Sequence, residues 1–271
     1  MMSRPYRGVA FDLDGTLLRS DHSISAEMRS LCSALAAQGV LLTLISSRPP
    51  RSVEQIAHAL GIEGPWAALN GALVVGAGGT LLDRSPLPER AVQHILERHG
   101  RDDGISVNLY SGFDWLVHAM DRRIAAEAEI VGFLPSIDPG FASRPVAEKI
   151  LLITDVDRRA GARLAQEIAA LDKGIAVARS KENYIEITRS EIDKGRALSF
   201  IAASRGLSPR DMVAAGDGEN DIPMLNACGL PIAMGHSPQS LRQVAELIVG
   251  SNDDDSLTEA IGRAFGVTLP R

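Results

Sequence analysis

Short apolar runs alternate with helical patterns at both ends of the chain. Residues 8–11, 40–45, 66–69 and 212–215 each have the length and composition of a strand buried on both faces. Apolar residues at helical spacing follow the first two runs, and each of these patterns ends at a glycine, as helices commonly do. Strands that alternate with helices predict a Rossmann-like, doubly wound parallel sheet.

This rhythm is interrupted in the middle of the chain. Residues 72–82 have the pattern of a β-hairpin around a glycine-rich turn. From residue 83 onward, paired short strands and single helices predict an α+β unit with an antiparallel sheet. The first rhythm resumes near Lys194. We therefore predict a discontinuous core of residues 1–82 and 189–271, with an inserted α+β domain at residues 83–188.

Composition narrows the class of protein. The chain has 271 residues, 45% of them hydrophobic, and a net charge of −6, which argues against a nucleic-acid partner. The longest apolar runs are too short to span a bilayer, so we expect no membrane association. We expect a cytoplasmic location. Cys32 and Cys228 fall on predicted helices with apolar neighbours, which predicts buried, reduced thiols. The sequence leaves both a monomer and a homodimer open.

The first candidate for chemistry follows the first predicted strand. Asp12 and Asp14 are two positions apart, so on a strand both carboxylates would point to one face. Gly15 would let the chain turn just beyond them. Two carboxylates so close repel each other unless a cation lies between them or one is protonated. A calcium-binding EF-hand loop is disfavoured, because Leu17 and Ser23 stand where that loop needs Gly and Glu.

Further polar residues follow other predicted strands or begin a helix after the insert: Ser46, Ser47, Asp217, Asn220, Asp221 and Lys194. Each alone has an ordinary structural explanation, such as a turn, a helix cap or a solvated surface residue. Ligands of open α/β sheets bind outside the carboxyl ends of the strands, so these groups are expected to converge. Clustered carboxylates need a divalent cation, and oxygen ligands favour Mg²⁺. A cation beside a lysine would attract an anion such as a phosphoryl group.

These motifs resemble those of the haloacid dehalogenase (HAD) superfamily and, within it, the Cof-type sugar-phosphatase-like branch. Residues 11–17 match its first motif, Ser46 the second, residues 193–195 the lysine motif and residues 216–221 the acidic fourth motif. The position and size of the insert match the Cof-type cap domain. The resemblance implies a HAD-like α/β core with an inserted α+β cap.

The resemblance also implies catalytic and metal-binding roles. Asp12 would be the nucleophile that forms an aspartyl-phosphate, and Asp14 the general acid and base. Mg²⁺ would be held by Asp12, Asp217, Asp221 and the backbone carbonyl of Asp14, with Asp221 acting through water.

The phosphoryl oxygens would be held by the backbone of Leu13 and Ser47 and by the side chains of Ser46, Lys194 and Asn220. Arg48 and Asn70 are weaker candidates for substrate contacts. In the case of Arg48, a surface salt bridge is an equally good interpretation.

Three positions depart from the family pattern. Ser46-Ser47-Arg48 stands where the second motif usually has Thr-Gly-Arg, so Ser47 takes the place of the glycine. His236 stands where Asn is common after Met-Gly. Ser256 replaces the usual glycine after Asp255. None of the three removes a group to which the resemblance assigns catalysis.

The implied function is a Mg²⁺-dependent phosphatase that acts on small phosphorylated metabolites, sugar phosphates above all. A phosphomutase or phosphotransferase on the same fold is an alternative. A receiver-like phosphoacceptor that is not an enzyme is a third, disfavoured by the insert and by Asp14. Five residues of the insert are candidates to recognise the substrate and equally candidates for structural roles: Tyr110, Trp115, Lys149, Arg179 and Asn183.

Overall fold

The computed structural model describes residues 6–268, except for residues 101, 103, 141–145, 156 and 157. The described residues fall into two units. The first contains residues 6–47, 53–82 and 193–268, and the second contains Arg48–Ser52 and Asp83–Ile192. Residues 1–5 and 269–271, which the predicted core includes, lie outside the described part.

The strands in chain order are β1 (Gly8–Phe11), β2 (Leu41–Leu44), β3 (Trp66–Ala68), β4 (Leu73–Val75), β5 (Leu81–Arg84), β6 (Ile105–Ser111), β7 (Asp114–Val117), β8 (Ser136–Ile137), β9 (Lys149–Thr154), β10 (Ile175–Lys181), β11 (Tyr184–Arg189), β12 (Met212–Gly216), β13 (Leu230–Ala233) and β14 (Leu247–Ile248). The α-helices are α1 (Ala26–Ala37), α2 (Pro50–Ala59), α3 (Glu89–His99), α4 (Arg122–Val131), α5 (Arg158–Ala169), α6 (Lys194–Ser204), α7 (Ile222–Ala227), α8 (Gln239–Arg242) and α9 (Ser256–Phe265).

A five-stranded sheet forms the centre of the first unit. Its strand order is β14-β13-β12-β1-β2, and all of its described pairings are parallel. Phe11 pairs in register with Leu44 on one side and with Ala215 on the other, so three strands end at nearly the same level. The predicted α/β fold with a parallel sheet is confirmed.

The third predicted strand lies elsewhere than the alternation suggests. β3 belongs to a separate three-stranded sheet with β4 and β5, and an isolated parallel bridge joins its residue Ala67 to Ile45, the residue after β2. The reason is local: Leu69 and Asn70 have φ angles of 55° and 59°. This left-handed pair reverses the chain before a longer strand can form, so β4 returns antiparallel to β3.

Packing on the central sheet fixes the start of α6. Asp193 is its N-cap, and the Asp193 carboxylate accepts a hydrogen bond from the N–H of Arg196. Ala197, Leu198 and Ile201 of this helix are buried in the same apolar cluster as sheet residues. A Cβ at Gly195 would lie 2.5 Å from the carbonyl oxygen of Pro223, so α6 and α7 approach closely there. Lys194, the first residue of α6, is therefore rigidly placed.

The second unit contains a six-stranded sheet with the order β10-β11-β9-β6-β7-β8. Its described pairings are antiparallel apart from the pairing of β7 with β8. Apolar residues of α3 and α5 pack with alternate residues of β6, β9 and β11 in one buried cluster. The predicted α+β composition of this part of the chain therefore holds.

The candidate recognition residues of the insert have structural partners. Tyr110 and Trp115 are buried and stack at a centroid distance of 5.9 Å. Lys149 is buried and forms a 2.7 Å ion pair within the sheet. Arg179 and Asn183 donate hydrogen bonds to backbone carbonyl oxygens. These contacts favour the structural interpretation.

Two composition-based expectations also concern the fold. Cys32 and Cys228 are both buried and free, as predicted. Within the described part of the chain, no helix has both the length and the apolar character that a bilayer crossing requires.

Candidate active site

Asp12 is the first residue after β1. Its N–H donates a 3.0 Å hydrogen bond to the carbonyl oxygen of Ala215, which continues the parallel ladder by one step. The side chain is only 7% exposed, whereas that of Asp14 is 48% exposed. Because the strand ends at Phe11, strand alternation does not set the directions of the two carboxylates. They lie in different environments, one buried and one open to solvent.

Lys194 joins two of the predicted carboxylates. Its ammonium donates hydrogen bonds to Oδ1 of Asp12 and, at 2.6 Å, to Oδ1 of Asp221, and all three side chains are buried. Burial alone would lower the pKa of Lys194, but the two carboxylates outweigh it and raise that pKa. The lysine is therefore a cation held between two buried carboxyl groups.

Asp221 has a hydrogen-bond partner on each oxygen. Oδ1 accepts from Lys194, and Oδ2 accepts from the backbone N–H groups of Asp217 and Gly218, both at 3.0 Å. These bonds hold the loop after β12 in a tight turn around the carboxylate. With both oxygens already engaged, contact with a cation through water, as the resemblance implies, is chemically reasonable.

Asp217 is less buried and has two side chains close to its carboxylate. The hydroxyl of Thr16 donates to Oδ1 at 3.4 Å, and Nε2 of His236 lies 3.4 Å from Oδ2. Burial and the neighbouring charge of Asp221 raise the pKa of Asp217, while His236 and Lys194 oppose that shift. Burial and the charge of Asp221 also raise the pKa of Asp12, against the effect of Lys194.

Three of the predicted metal ligands are close enough to share one ion. Oxygen atoms of Asp12, Asp217 and Asp221 lie within 4.8 Å of one another. One ammonium lies directly within this cluster, and burial together with the remaining repulsion between carboxylates raises the pKa values of Asp12 and Asp217. A set of carboxylate oxygens suits Mg²⁺, so the residues present fit that ion.

The predicted phosphate-binding residues are partly connected. The carbonyl oxygen of Ser46, which is fully buried, accepts from the N–H of Asn70 at 2.9 Å. The side-chain oxygen of Asn70 accepts from the amide of Asn220 at 3.1 Å. Asn70, a weak candidate from sequence, therefore links two stronger ones. Ser47 follows Ser46 and is half-buried.

The remaining predicted residues are placed as follows. Leu13 is buried between Asp12 and Asp14, and its carbonyl oxygen accepts from the N–H of Leu18 at 2.9 Å. Arg48 groups with the second unit, so it is not among the residues that the first unit brings together. Ser256 is structural: its hydroxyl accepts from the N–H of Gly250 at 2.7 Å.

Sequence reasoning missed two neighbours of Asp217. Thr16 belongs to the first motif, but no role was assigned to its hydroxyl. In the sequence, His236 stands out only as a departure from a family pattern, although it follows β13, the strand beside β12. The signal that could have identified His236 is the one used for the other residues: a polar side chain just after a parallel strand.

This arrangement can bind and transform an anion. It offers a buried carboxylate beside a fixed ammonium, a second, solvent-exposed carboxylate two residues later, and a cluster of carboxylates suited to a divalent cation. Within the part of the chain that the structure describes, Oδ2 of Asp12 accepts no hydrogen bond, so one oxygen of this carboxylate is available for attack.

Known proteins resemble this chain over nearly its whole length. The 5-amino-6-(5-phospho-D-ribitylamino)uracil phosphatase YwtE of Bacillus subtilis is 27% identical, over 92% of this chain and 94% of that protein. The HMP-PP phosphatase of Escherichia coli O6:H1 is 28% identical, over 87% of this chain and 86% of that protein. The crystal structure of a haloacid dehalogenase-like hydrolase from Bacteroides thetaiotaomicron gives a TM-score of 0.87 at 28% identity, covering 96% of this chain and 100% of that one.

The family match is as extensive. A family model described as haloacid dehalogenase-like hydrolase matches residues 9–261. This range includes the insert and the two edge strands of the parallel sheet, β2 and β14. The chain therefore belongs to the haloacid dehalogenase-like hydrolases, and it is a phosphoric monoester hydrolase of that family.

Proposed function

We propose that this phosphatase hydrolyses small phosphorylated metabolites, sugar phosphates in particular, through an aspartyl-phosphate on Asp12 and with Mg²⁺ as cofactor. One observation supports this proposal above the others. The buried carboxylate of Asp12 lies beside Lys194 and within 4.8 Å of two further carboxylates, with Oδ1 engaged by the lysine. A nucleophile held in this way keeps its second oxygen for an electrophilic phosphorus.

The first step transfers the phosphoryl group to the protein. Oδ2 of Asp12 forms a bond to phosphorus while the bond between phosphorus and the leaving oxygen breaks. Asp14, in its protonated form, gives its proton to that oxygen, so the product leaves as a neutral alcohol. The exposure of Asp14 supports this role, since its carboxyl can exchange protons with solvent.

The second step restores the nucleophile. Asp14, now a carboxylate, takes a proton from a water molecule as the water oxygen bonds to phosphorus. The bond between phosphorus and Asp12 breaks, and inorganic phosphate leaves. Lys194 acts as a cation and not as a proton donor, in keeping with the pKa that Asp12 and Asp221 raise. It offsets negative charge on Asp12 before and after the transfer.

Mg²⁺, when bound, would supply positive charge that offsets the charge on the phosphoryl oxygens. The carboxylates of Asp12, Asp217 and Asp221 would hold it, together with the backbone carbonyl of Asp14. Asn220, Ser46 and the backbone at Leu13 and Ser47 would orient the phosphoryl group.

The substrate class is supported by the relatives and by charge. Two relatives that align over most of this chain are named as phosphatases, one of them of a phosphorylated ribitylamino compound. The chain has a net charge of −6, so its anion-binding groups are local and suit a small phosphate ester better than a polyanion.

The experiment that tests this function compares two variants at the first motif. Asp12→Asn removes the nucleophile and should abolish both turnover and phosphoenzyme. Asp14→Asn removes proton transfer, so turnover of a sugar phosphate should fall by ~10²–10⁴-fold. With an aryl phosphate, which needs less protonation, this variant should accumulate phosphoenzyme that mass spectrometry detects after quenching.

The metal requirement is tested on the wild-type protein. Chelation should abolish release of phosphate from a panel of phosphorylated metabolites, and added Mg²⁺ should restore it. Full activity in a chelated sample would contradict the cofactor assignment. Wild-type turnover by Asp14→Asn would contradict the acid–base assignment.

A further inference from the structure

The loop after β13 is held in place by backbone hydrogen bonds. The N–H of Met234 donates to the carbonyl oxygen of Gly216 at 3.2 Å, and the N–H of Gly235 donates to that of Gly250 at 2.8 Å. The N–H of Ser237 donates back to Met234 at 3.1 Å. A Cβ at Gly235 would lie 2.8 Å from the carbonyl oxygen of Val249, so this glycine allows the close approach. The loop therefore presents His236 from a fixed backbone.

The His236 side chain lies against one residue of the acidic cluster. Its Nε2 is 3.4 Å from Oδ2 of Asp217, while Thr16 donates to Oδ1 of the same carboxylate. Two donors from different loops thus face the two oxygens of Asp217. With only one such partner, the carboxylate could rotate about its Cβ–Cγ bond. Two partners restrict the orientation of the carboxylate plane.

We propose that His236 is a positioning residue for the divalent cation, whose Nε2–H donates to Oδ2 of Asp217 and orients that carboxylate towards Asp12 and Asp221. The inference rests on the proposed metal-dependent function and adds to it a residue that the family resemblance does not assign. The three carboxylates meet within 4.8 Å, and the imidazole acts on the cluster through Asp217.

The exposure of His236 separates this role from a structural one. The side chain is 43% exposed, so its burial contributes little to folding. Replacement by an apolar residue should therefore leave the stability of the metal-free protein nearly unchanged. Groups that orient metal ligands typically affect metal affinity by about 10–100-fold.

The test uses metal affinity as its readout, measured on protein from which metal has been removed. Mn²⁺ binding is followed by electron paramagnetic resonance and Mg²⁺ binding by calorimetry, for the wild type and two variants. His236→Leu removes the donor, and its affinity should fall by about 10–100-fold. His236→Asn keeps an N–H donor, and it should recover most of that loss. His58→Leu changes an exposed histidine near the end of α2 and serves as the matched control.

Each outcome has a distinct meaning. Wild-type affinity in His236→Leu would overturn this inference and leave the proposed function intact. A direct manganese–nitrogen coupling in pulsed spectra of the wild type would also overturn it, because His236 would then be a ligand. If the wild type bound neither ion, the proposed metal-dependent function itself would fail. A similar melting temperature for all metal-free proteins, together with loss only in His236→Leu, is the expected result.

Discussion

Gly15 lies directly against the carboxylate of Asp217. A Cβ at this position would be 2.8 Å from Cγ of Asp217, and closer still to Oδ2. Gly15 also has a φ of 74°, in the left-handed region that residues with a side chain rarely adopt. The first motif therefore needs glycine here for two separate reasons: a backbone angle and the space taken by a proposed metal ligand.

The variant Gly15→Ala tests both reasons, and Gly39→Ala separates them. Gly39 has a φ of 76° and nothing within 4 Å of its Cβ position, so alanine there adds only backbone strain. We expect a loss of about 1–2 kcal/mol of stability in Gly39→Ala with normal activity. Gly15→Ala should lose more stability and also displace Asp217, so its affinity for Mg²⁺ should fall. Equal metal affinity in the two variants would contradict this argument.

Replacing Lys194 should expose the repulsion between the carboxylates. Lys194→Met leaves Asp12 and Asp221 buried without their cation, a change that typically costs about 3–5 kcal/mol. Mg²⁺ should restore part of the loss, because it supplies positive charge to the same cluster. Urea unfolding with and without Mg²⁺ measures both effects. Lys173→Met, at an exposed lysine, should change stability by only about 0.5 kcal/mol or less.

The metal-free protein should show a pH dependence that comes from Asp217. Burial and the charge of Asp221 raise the pKa of Asp217 in the folded state. Such a group contributes stability that is full below its unfolded pKa of about 4 and is lost as pH rises through the folded pKa. Relative to Asp217→Asn, the wild type should therefore lose unfolding free energy as pH rises from 4 towards neutrality. A constant difference between the two proteins over this range would show that the pKa is not raised.

The insert should fold without the core. Its six-stranded sheet and the helices α3 and α5 share one apolar cluster, in which Val92, Leu109, Ile150 and Ile185 are fully buried. A fragment of residues 83–192, which extends the predicted insert of residues 83–188 to the end of the second unit, should give dispersed amide resonances and cooperative thermal unfolding. A fragment that stays unfolded while the full chain folds would contradict the predicted domain division. The division stays a prediction until that measurement.

Much of the central sheet could be predicted because its signals are local. Each parallel strand is a short apolar run, and a polar residue follows its end. The register of β1 with β2 and β12 then makes neighbours of groups that are distant in sequence. That is why Asp12, Asp217 and Lys194 could be expected to meet without knowledge of any side-chain position.

Other features depend on backbone angles that composition does not record. The positive φ angles of Leu69 and Asn70 turn β3 into an antiparallel sheet, although its apolar run has the same pattern as β2. β1 ends one residue before Asp12, so the assumed strand geometry of the two aspartates was wrong. In a single sequence, a leucine does not signal a positive φ angle such as that of Leu69. The first motif does not signal where β1 ends.

The contact between His236 and Asp217 was missed for a different reason. It joins loops after two neighbouring strands, and its formation depends on how Gly235 packs against the segment after β14. The extension of the second unit to Arg48–Ser52 is likewise a matter of tertiary contacts. Patterns along the chain cannot record such contacts before the strand order is known.

The position of β1 in the sheet order also has a consequence for folding during synthesis. β1 is synthesised before β12, yet it lies between β2 and β12, and Lys194 is 182 residues from the Asp12 it contacts. Until β12 is synthesised, β1 has an open apolar edge, which is a template for aggregation. The proposed nucleophile is thus synthesised well before its partner Lys194, and contacts between residues so far apart in sequence form slowly during folding.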